Sequence, residues 1–289
     1  MTAVAPAISV VVPSRDRPDA LAACLVALDQ QAAASYEIVV VDDASVDAHA
    51  VASTVARFSR ARLVVADGRG PAAARNRGAE AARAPVVCFT DDDCRPGTHW
   101  LDAIARRMTD ARVVAGPTRV EHGDPIVTAS QTVTNHLTES SFDASRRRVR
   151  FAPTSNLAVR TDIFRSLPFD ERFPLAAGED REWCRRLVEL HIPIEFEPEA
   201  WVVHQPDLSL ARFWRQQVRY GEGAYRLHRD QEPGDRLQPL RFYTGLLRAG
   251  FRHGATTGAL VLLAQFATAS GLTRAALTEA RAAVRRSGR

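Results

Sequence analysis

The chain has 289 residues, and its hydrophobic content of 46% is ample for a buried core, which excludes a disordered chain. The formal net charge is +4, and all 38 basic residues are arginines scattered along the chain, without a module that reads nucleic acid. We therefore expect no nucleic-acid partner, whereas anionic small molecules or a membrane surface fit the mild positive charge.

The first part of the chain alternates short apolar runs with amphipathic segments. Strands are predicted at residues 8–12, 37–41, 63–65 and 86–90. Helices are predicted between them, in a segment that opens near Pro18 and at residues 46–58 and 72–83. Strands that alternate with helices indicate an α/β fold, with a mainly parallel sheet flanked by helices.

The pattern becomes mixed from residue 112 to residue 203. Strands are predicted near Val113 and at residues 149–158, 194–196 and 201–203, and helices at residues 126–138 and 178–190. From Ser209 onward the chain is predicted to be helical, interrupted by a loop at residues 231–236 and by Gly254. We therefore predict one domain over residues 1–208 and a helical C-terminal extension, residues 209–289, that packs on it.

Three adjacent carboxylates follow the fourth predicted strand. In open α/β sheets, ligands bind beyond the carboxyl ends of the strands, which is where Asp91, Asp92 and Asp93 lie. Adjacent carboxylates repel one another unless a cation neutralises them, and oxygen ligands favour Mg²⁺ or Mn²⁺ shared with substrate phosphates. The triplet therefore predicts a metal site, with a solvated acidic turn as the alternative.

Two further segments fit a nucleotide. Asp42 and Asp43 end the second strand, where they can accept hydrogen bonds from a base or ribose, or else cap the next helix. Small residues precede Arg75 at a helix start, where backbone amides and a guanidinium favour a diphosphate. An ordinary alanine-rich helix explains the Arg75 segment equally well.

Later in the chain, Gly178, Glu179 and Asp180 open a predicted helix. Acidic residues are stable at a helix N-terminus, so capping accounts for them, and a carboxylate there can also act as a general base toward an acceptor hydroxyl. His204 ends a short apolar strand, where an imidazole is more often structural but can complete the coordination of a metal.

Together these segments resemble the family-2 glycosyltransferases in order and approximate spacing, over about residues 8–205. The segments that carry the resemblance are ISVVVPSRDR from Ile8, VVDDAS from Val40, ARNRG from Ala74, the aspartate triplet and GED from Gly178. The resemblance implies a GT-A-like nucleotide-diphospho-sugar transferase fold and an inverting transfer that depends on a divalent cation, Mn²⁺ or Mg²⁺.

The resemblance also implies roles for individual residues. The donor-binding candidates are Pro13, Arg15, Asp42, Asp43, Arg75, Asp91, Asp92 and Asn156. Asp91 and Asp93 match the family's DxD metal motif, with Asp93 the more direct ligand, and His204 is the additional metal candidate. Asp180 matches the carboxylate that ends the family's ED motif and acts as the catalytic base.

One departure concerns the QxxRW motif of the polymer-forming members. Gln216 and Arg219 have its spacing, but Tyr220 replaces the tryptophan, so processive polymerisation is not expected.

The resulting prediction is a glycosyltransferase that moves a sugar from a UDP-, GDP- or dTDP-linked donor to a hydroxyl of a glycan, a lipid-linked or a small-molecule acceptor. The alternatives are a catalytically silent sugar-nucleotide or glycan-binding module and a sugar-1-phosphate nucleotidyltransferase. The binding module is disfavoured because the chain keeps Asp180, a base that binding alone does not need. The nucleotidyltransferase is disfavoured because the first strand is followed by Pro13-Ser14-Arg15-Asp16 and not by a glycine-rich loop.

The expected location is the cytoplasm, because no positive segment precedes the first apolar run as in a signal peptide. The cysteines are expected to be reduced and buried.

Residues 255–272 are apolar over less than the length of a membrane helix, which favours a core or interfacial helix. The arginine-rich tail and Trp214 fit peripheral contact with the inner face of a membrane, and a solvated basic face fits them equally well.

Overall fold

The computed structural model describes residues 5–33, 35–121, 123–173, 177–229 and 238–287, with side chains to residue 281. The strands are β1 (Ile8–Ser14), β2 (Tyr36–Asp42), β3 (Ala61–Val65), β4 (Val86–Phe89), β5 (Cys94–Pro96), β6 (Val113–Ala115), β7 (Thr118–Arg119), β8 (Arg148–Val149), β9 (Leu157–Arg160), β10 (Ile194–Phe196) and β11 (Val202–His204). The helices are α1 (Pro18–Asp29), α2 (Ala48–Val55), α3 (Pro71–Ala81), α4 (Trp100–Arg107), α5 (Pro125–Ser140), α6 (Thr161–Ser166), α7 (Glu179–Glu189), α8 (Leu210–His228), α9 (Leu240–Arg252) and α10 (Ala255–Ser287).

A mixed eight-stranded sheet is the centre of the fold, with strand order β3-β2-β1-β4-β9-β6-β10-β8. The first four strands in the chain are parallel, as predicted, whereas β9 runs antiparallel to both β4 and β6. A second sheet has the order β5-β11-β7. The predicted α/β class with a mixed, mainly parallel sheet is therefore confirmed.

Both faces of the large sheet are buried, which explains the continuous apolar strands. Val10 and Val12 pack into a core formed with α1 and α4, whereas Val11 points to the opposite core with α3 and α7. Successive side chains of a strand point to opposite faces, so β1 contributes to both layers. Its carboxyl end is thereby held at a fixed place in the middle of the sheet.

One predicted strand, residues 149–158, is wrong. The segment divides into β8, a connection containing Pro153, a 3₁₀ turn at Thr154–Asn156 and then β9. Proline has no N–H for a strand ladder, which accounts for the break. The helix predicted at residues 46–58 begins at Ala48, because Asp47 accepts a hydrogen bond from the Ala50 amide at 2.9 Å and caps it.

The C-terminal part is helical, as predicted, and α8 begins after Ser209, whose hydroxyl accepts from the Arg212 amide. The predicted loop at residues 231–236 lies outside the described residues. α10 is longer than expected: Ala255–Arg281 is long and apolar enough to cross a membrane by length and composition alone, and 22% of its most apolar window is buried. The division at residue 208 stays an interpretation, since α5 also packs against α9 and α10.

Gly78 brings α3 into close contact with the sheet. A Cβ atom at this position would lie 2.4 Å from Val11 Cγ1 and 2.9 Å from Val41 Cγ2, both within the core. Helix and sheet can therefore approach this closely only where no side chain intervenes.

Replacing Gly78 by Ala should lower the free energy of unfolding by about 1–3 kcal/mol, because the new methyl group overpacks this contact. In an exposed helix the same change raises the free energy of unfolding by up to about 1 kcal/mol. The sign of the change therefore shows whether position 78 is tightly packed. Arg77→Ala, one residue earlier and exposed, is the control and should stay within about 0.5 kcal/mol. Denaturant titration measures both, and a G78A variant as stable as the parent would contradict this tight packing.

Candidate active site

The aspartate triplet is contacted by Ser14, the last residue of β1, and by Arg17 in the loop that follows. The Ser14 hydroxyl donates to Asp92 Oδ2 at 2.8 Å. Arg17 Nη2 lies 2.6 Å from Asp92 Oδ1, and Arg17 Nη1 lies 2.8 Å from Asp93 Oδ2. Burial raises the pKa of Asp92 to about 7 even though Arg17 opposes this. Burial acts in the same direction on Asp93, but His204 and Arg17 hold its pKa well below the usual range.

His204 stands beside Asp93 because β11 pairs with β5. His204 Nε2 lies 3.3 Å from Asp93 Oδ1, an oxygen that lacks a hydrogen-bond partner among the described residues. Two ligands at right angles on a cation about 2.1 Å away would be about 3.0 Å apart. A carboxylate oxygen and an imidazole nitrogen in this arrangement therefore fit two ligands of one divalent cation.

A chain of hydrogen bonds behind His204 fixes which ring nitrogen faces Asp93. Asn135 Nδ2 donates to the Thr118 carbonyl at 2.9 Å, Gln131 Nε2 donates to Asn135 Oδ1 at 2.8 Å, and His204 Nδ1 lies 2.8 Å from Gln131 Oε1. A carbonyl can only accept, so it orients both amides and makes Nδ1 the donor nitrogen of a neutral ring. In the neutral ring Nε2 then keeps its lone pair free for a cation bound between it and Asp93, which is the tautomer a metal ligand needs.

Arg75 joins the end of β4 to the start of α7. Its side chain is 4% exposed, with Nη2 2.7 Å from Asp91 Oδ1 and Nη1 3.1 Å from Glu179 Oε1. Glu179 Oε2 also accepts from the Ala177 amide at 2.9 Å. Burial and the adjacent Asp180 raise the pKa of Glu179 to about 7, against the effect of Arg75. Asp91 is thus engaged by Arg75, whereas Asp93 contacts Arg17 through Oδ2 and faces His204 with Oδ1.

Asp180 lies in the first turn of α7, after Gly178, whose φ of +97° is in the left-handed region that favours glycine. Its Oδ1 accepts from the Arg181 amide at 2.7 Å. Burial raises the pKa of Asp180, and this amide and the charge of Arg75 oppose the shift. A carboxylate with a raised pKa is suited to accept a proton near neutral pH.

One cavity of about 250 Å³ brings several predicted site residues together. Arg75, Asp91, Asp180 and His204 all line it. Asp93 adjoins it through its contact with His204. Residues from the middle of the chain and from the C-terminal part therefore converge on the carboxyl end of β4.

The other donor-binding candidates are not among the residues that line this cavity. Pro13 is buried in β1, and Arg15 is half-exposed beside Asp16. Asp42 accepts from the Ser45 amide at 3.0 Å, and Asp43 accepts from the Gly70 amide at 3.0 Å. Their binding to a nucleoside remains a prediction from the resemblance.

Asn156 does not face the cavity, because its amide is hydrogen-bonded inside the protein. Nδ2 donates to the carbonyls of Pro117 and Ala200, and Oδ1 accepts from the Trp100 indole. The side chain is buried, joins loops of the two sheets and is not among the residues that line the cavity. Its neighbours Thr154 and Ser155 line the cavity instead.

Sequence reasoning missed three residues of the site: Arg17, Gln131 and Arg181. Arg17 belongs to the SRDR segment, so its charge beside the triplet was a usable signal. Gln131 lies in the middle of α5, and only the packing of α5 against β11 turns it into a partner of His204. Arg181 follows the predicted base directly, and this adjacency was available from the sequence.

Residues 9–168 match the family model described as Glycosyl transferase family 2, which is more than half of the chain. The chain belongs to this family. It is therefore a glycosyltransferase, and the family resemblance inferred from the sequence is confirmed.

Two curated relatives have similar sequences. Glycosyltransferase AglE of Haloferax volcanii is 28% identical over 232 residues, which cover 77% of this chain and 74% of that protein. The pre-mycofactocin glycosyltransferase of Mycobacterium tuberculosis is 29% identical over 200 residues, covering 66% of this chain but only 41% of the relative. The family-2 chain described here therefore spans less than half of the second relative.

Solved glycosyltransferases share the fold at low sequence identity. The mannosyltransferase PcManGT from Pyrobaculum calidifontis, solved with GDP-Man and Mn²⁺, has a TM-score of 0.58 at 18% identity and covers 98% of this chain and 81% of its own. TarS of S. aureus, residues 1–349, has a TM-score of 0.55 at 17% identity and covers 93% and 88%. These likenesses confirm the predicted GT-A-like fold.

Replacing Gln131 by Ala should weaken Mn²⁺ binding by roughly 10–100-fold, the usual effect of removing a group that orients a metal-bound histidine. Thr128→Ala on the same helix is the control, since the Thr128 hydroxyl bonds to the Asp124 carbonyl and does not contact His204. Calorimetric titration with Mn²⁺ measures both variants. Equal affinities for Q131A and the parent chain would show that the hydrogen-bond chain does not act on a metal site.

Proposed function

We propose that the chain is an inverting, metal-dependent glycosyltransferase that moves a sugar from a nucleoside-diphosphate sugar to a hydroxyl acceptor. The observation that carries this proposal is the cavity that unites Asp91, Asp180 and His204, with Asp93 beside it. The GDP-Man and Mn²⁺ bound to PcManGT support a nucleotide-sugar donor and a divalent cation.

In this proposal Asp93 and His204 hold Mn²⁺ or Mg²⁺, with Asp91 nearby. When bound, the cation stabilises the negative charge that develops on the leaving diphosphate. Arg75 keeps Asp91 and Glu179 at a fixed separation and so positions the two sides of the cavity. Arg15, Asp42 and Asp43 bind the nucleoside, as the family resemblance implies.

Asp180 acts as the general base. Its carboxylate takes the proton of the acceptor hydroxyl while that oxygen bonds to the anomeric carbon of the sugar. The bond from this carbon to the diphosphate oxygen breaks, and the nucleoside diphosphate leaves with the bonding electrons. A single displacement of this kind inverts the anomeric configuration and forms no covalent bond to the enzyme.

The family match favours this reaction over nucleotidyl transfer. The two reactions differ in their small product, because a glycosyltransferase releases a nucleoside diphosphate and a nucleotidyltransferase releases pyrophosphate. Chromatography of the released product separates them.

We also propose that the protein is cytoplasmic and that its C-terminal helices make peripheral contact with the inner face of a membrane. Exposed apolar side chains occur on α8, α9 and α10, at Trp214, Phe251, Leu262 and Phe266. Apolar anchors with nearby arginines are typical of helices that lie in the interface of an anionic membrane.

The donor is tested by calorimetric titration with UDP, GDP and dTDP, each with and without Mn²⁺. One nucleotide should bind in a Mn²⁺-dependent way, and Asp93→Ala should abolish the dependence because it removes the oxygen that faces His204. Glu80→Ala, on the exposed face of α3, is the control for removal of a surface carboxylate. If none of the three nucleotides binds under either condition, the proposed donor class is wrong.

Asp180→Asn should lower kcat by roughly 10²–10⁴-fold while Mn²⁺-dependent nucleotide binding persists, because the amide keeps the shape of the side chain but cannot accept the proton. Asp162→Asn is the matched control, since its side chain is 71% exposed on α6. Sugar transfer is followed by release of nucleoside diphosphate. A D180N variant with the parent kcat would exclude Asp180 as the base.

A further inference from the structure

The cavity at Asp180 continues into the C-terminal helices. Beyond the carboxylates it passes between α5, α8, α9 and α10, where its lining is mainly apolar. The apolar and aromatic side chains of this part are Leu137, Tyr220, Phe242, Leu246 and Leu272. This portion of the cavity therefore suits a hydrophobic group better than a sugar diphosphate.

Arg181 introduces a cation into this apolar portion. Its backbone N–H donates to Asp180, but its guanidinium has no hydrogen bond or ion pair among the described residues, although it lines the cavity. The buried arginine of the same cavity is paired, by contrast, since Arg75 binds Asp91 and Glu179. This guanidinium of Arg181 is partly exposed to the cavity, so an anion bound there would make charge-assisted hydrogen bonds that the described residues do not supply.

The surroundings of Arg181 distinguish it from the donor side of the site. Burial lowers the pKa of Arg181, and the groups that oppose this are Asp180 and Tyr243 of α9. The carboxylates after β4 act instead on Arg17 and Arg75. Arg181 and Tyr243 both line the cavity, which places Arg181 where the cavity passes from Asp180 to the C-terminal helices.

We propose that the acceptor is an amphiphilic anion: its reacting hydroxyl lies at Asp180, its carboxylate or phosphate binds Arg181, and its apolar body occupies the cavity between α5 and α8–α10. This inference rests on the proposed function, since it takes Asp180 as the base. The whole cavity, its carboxylate side included, measures about 250 Å³, so its apolar part holds a compact group or one end of a longer chain. A guanidinium is well suited to either anion, because its fork of donors matches both geometries.

This site is tested by calorimetric titration with octyl phosphate, which has both an anion and an apolar chain. Octanol, which has only the chain, and inorganic phosphate, which is only the anion, are titrated for comparison. Octyl phosphate should bind tightest, and Arg181→Met should weaken its binding by about tenfold or more, the equivalent of one lost charged hydrogen bond. Arg181→Lys should restore part of the affinity. Arg185→Met, one turn later on α7, is the matched control and should bind as the parent does, because Arg185 pairs with Glu182 and Glu189.

A second arm uses sedimentation with phosphatidylcholine vesicles, with and without phosphatidylglycerol, to separate a membrane lipid from a soluble amphiphile as the source of the anion. If Arg181→Met weakens binding in either experiment, the result supports the site. Weakened binding of octyl phosphate indicates a soluble amphiphile, and weakened binding of vesicles indicates a membrane lipid. Equal binding by parent and R181M, or none in both arms, overturns the inference. Mn²⁺-dependent nucleotide binding, measured on the same samples, reports separately on the proposed function.

Discussion

The structure depends on keeping three adjacent carboxylates, one of them fully buried, together at the end of one strand. Asp92 is fully buried, and Asp91 and Asp93 flank it where β4 leaves the core. Their mutual repulsion is opposed by cations drawn from distant parts of the chain: Arg17 after β1 and Arg75 on α3. Each of these contacts also fixes the position of the element that supplies it, so charge neutralisation and folding are coupled here.

The same carboxylates divide the site into two sides. On one side Asp93 faces His204, which is held from behind by the hydrogen bonds that begin at Gln131. On the other side Asp91 is joined through Arg75 to Glu179, directly before Asp180. A donor on the first side and an acceptor on the second would therefore meet across a rigid ion-pair bridge. The C-terminal helices close the second side and give it its apolar lining.

The fold and most of the chemistry could be predicted from the sequence because their signals are local. An apolar run followed by a helix period identifies β1 and α1, and carboxylates at strand ends are brought together by parallel topology alone. Asp91, Asp180 and His204 could be identified from the sequence for this reason. Family membership rests on the same segments, since the matched residues 9–168 contain most of them.

What the sequence could not provide depends on packing between distant elements. Asn156 lies in a segment that resembles the family's substrate region, yet its amide is occupied by Trp100, Pro117 and Ala200. Gln131 shows no pattern that marks it as a partner of His204, because this contact arises only when α5 packs beside β11. Burial and hydrogen-bond satisfaction are properties of the folded chain, and periodicity does not report them.

The most direct test of the account is electron spin-echo spectroscopy of Mn²⁺ bound to the protein without nucleotide, compared with a His204→Gln variant. We expect a coupling from a ¹⁴N nucleus of an imidazole on the bound Mn²⁺, because Nε2 of His204 faces the cation position beside Asp93. This coupling should disappear in the variant. Mn²⁺ that binds without any nitrogen coupling would contradict the assignment of Asp93 and His204 as the pair that holds the metal.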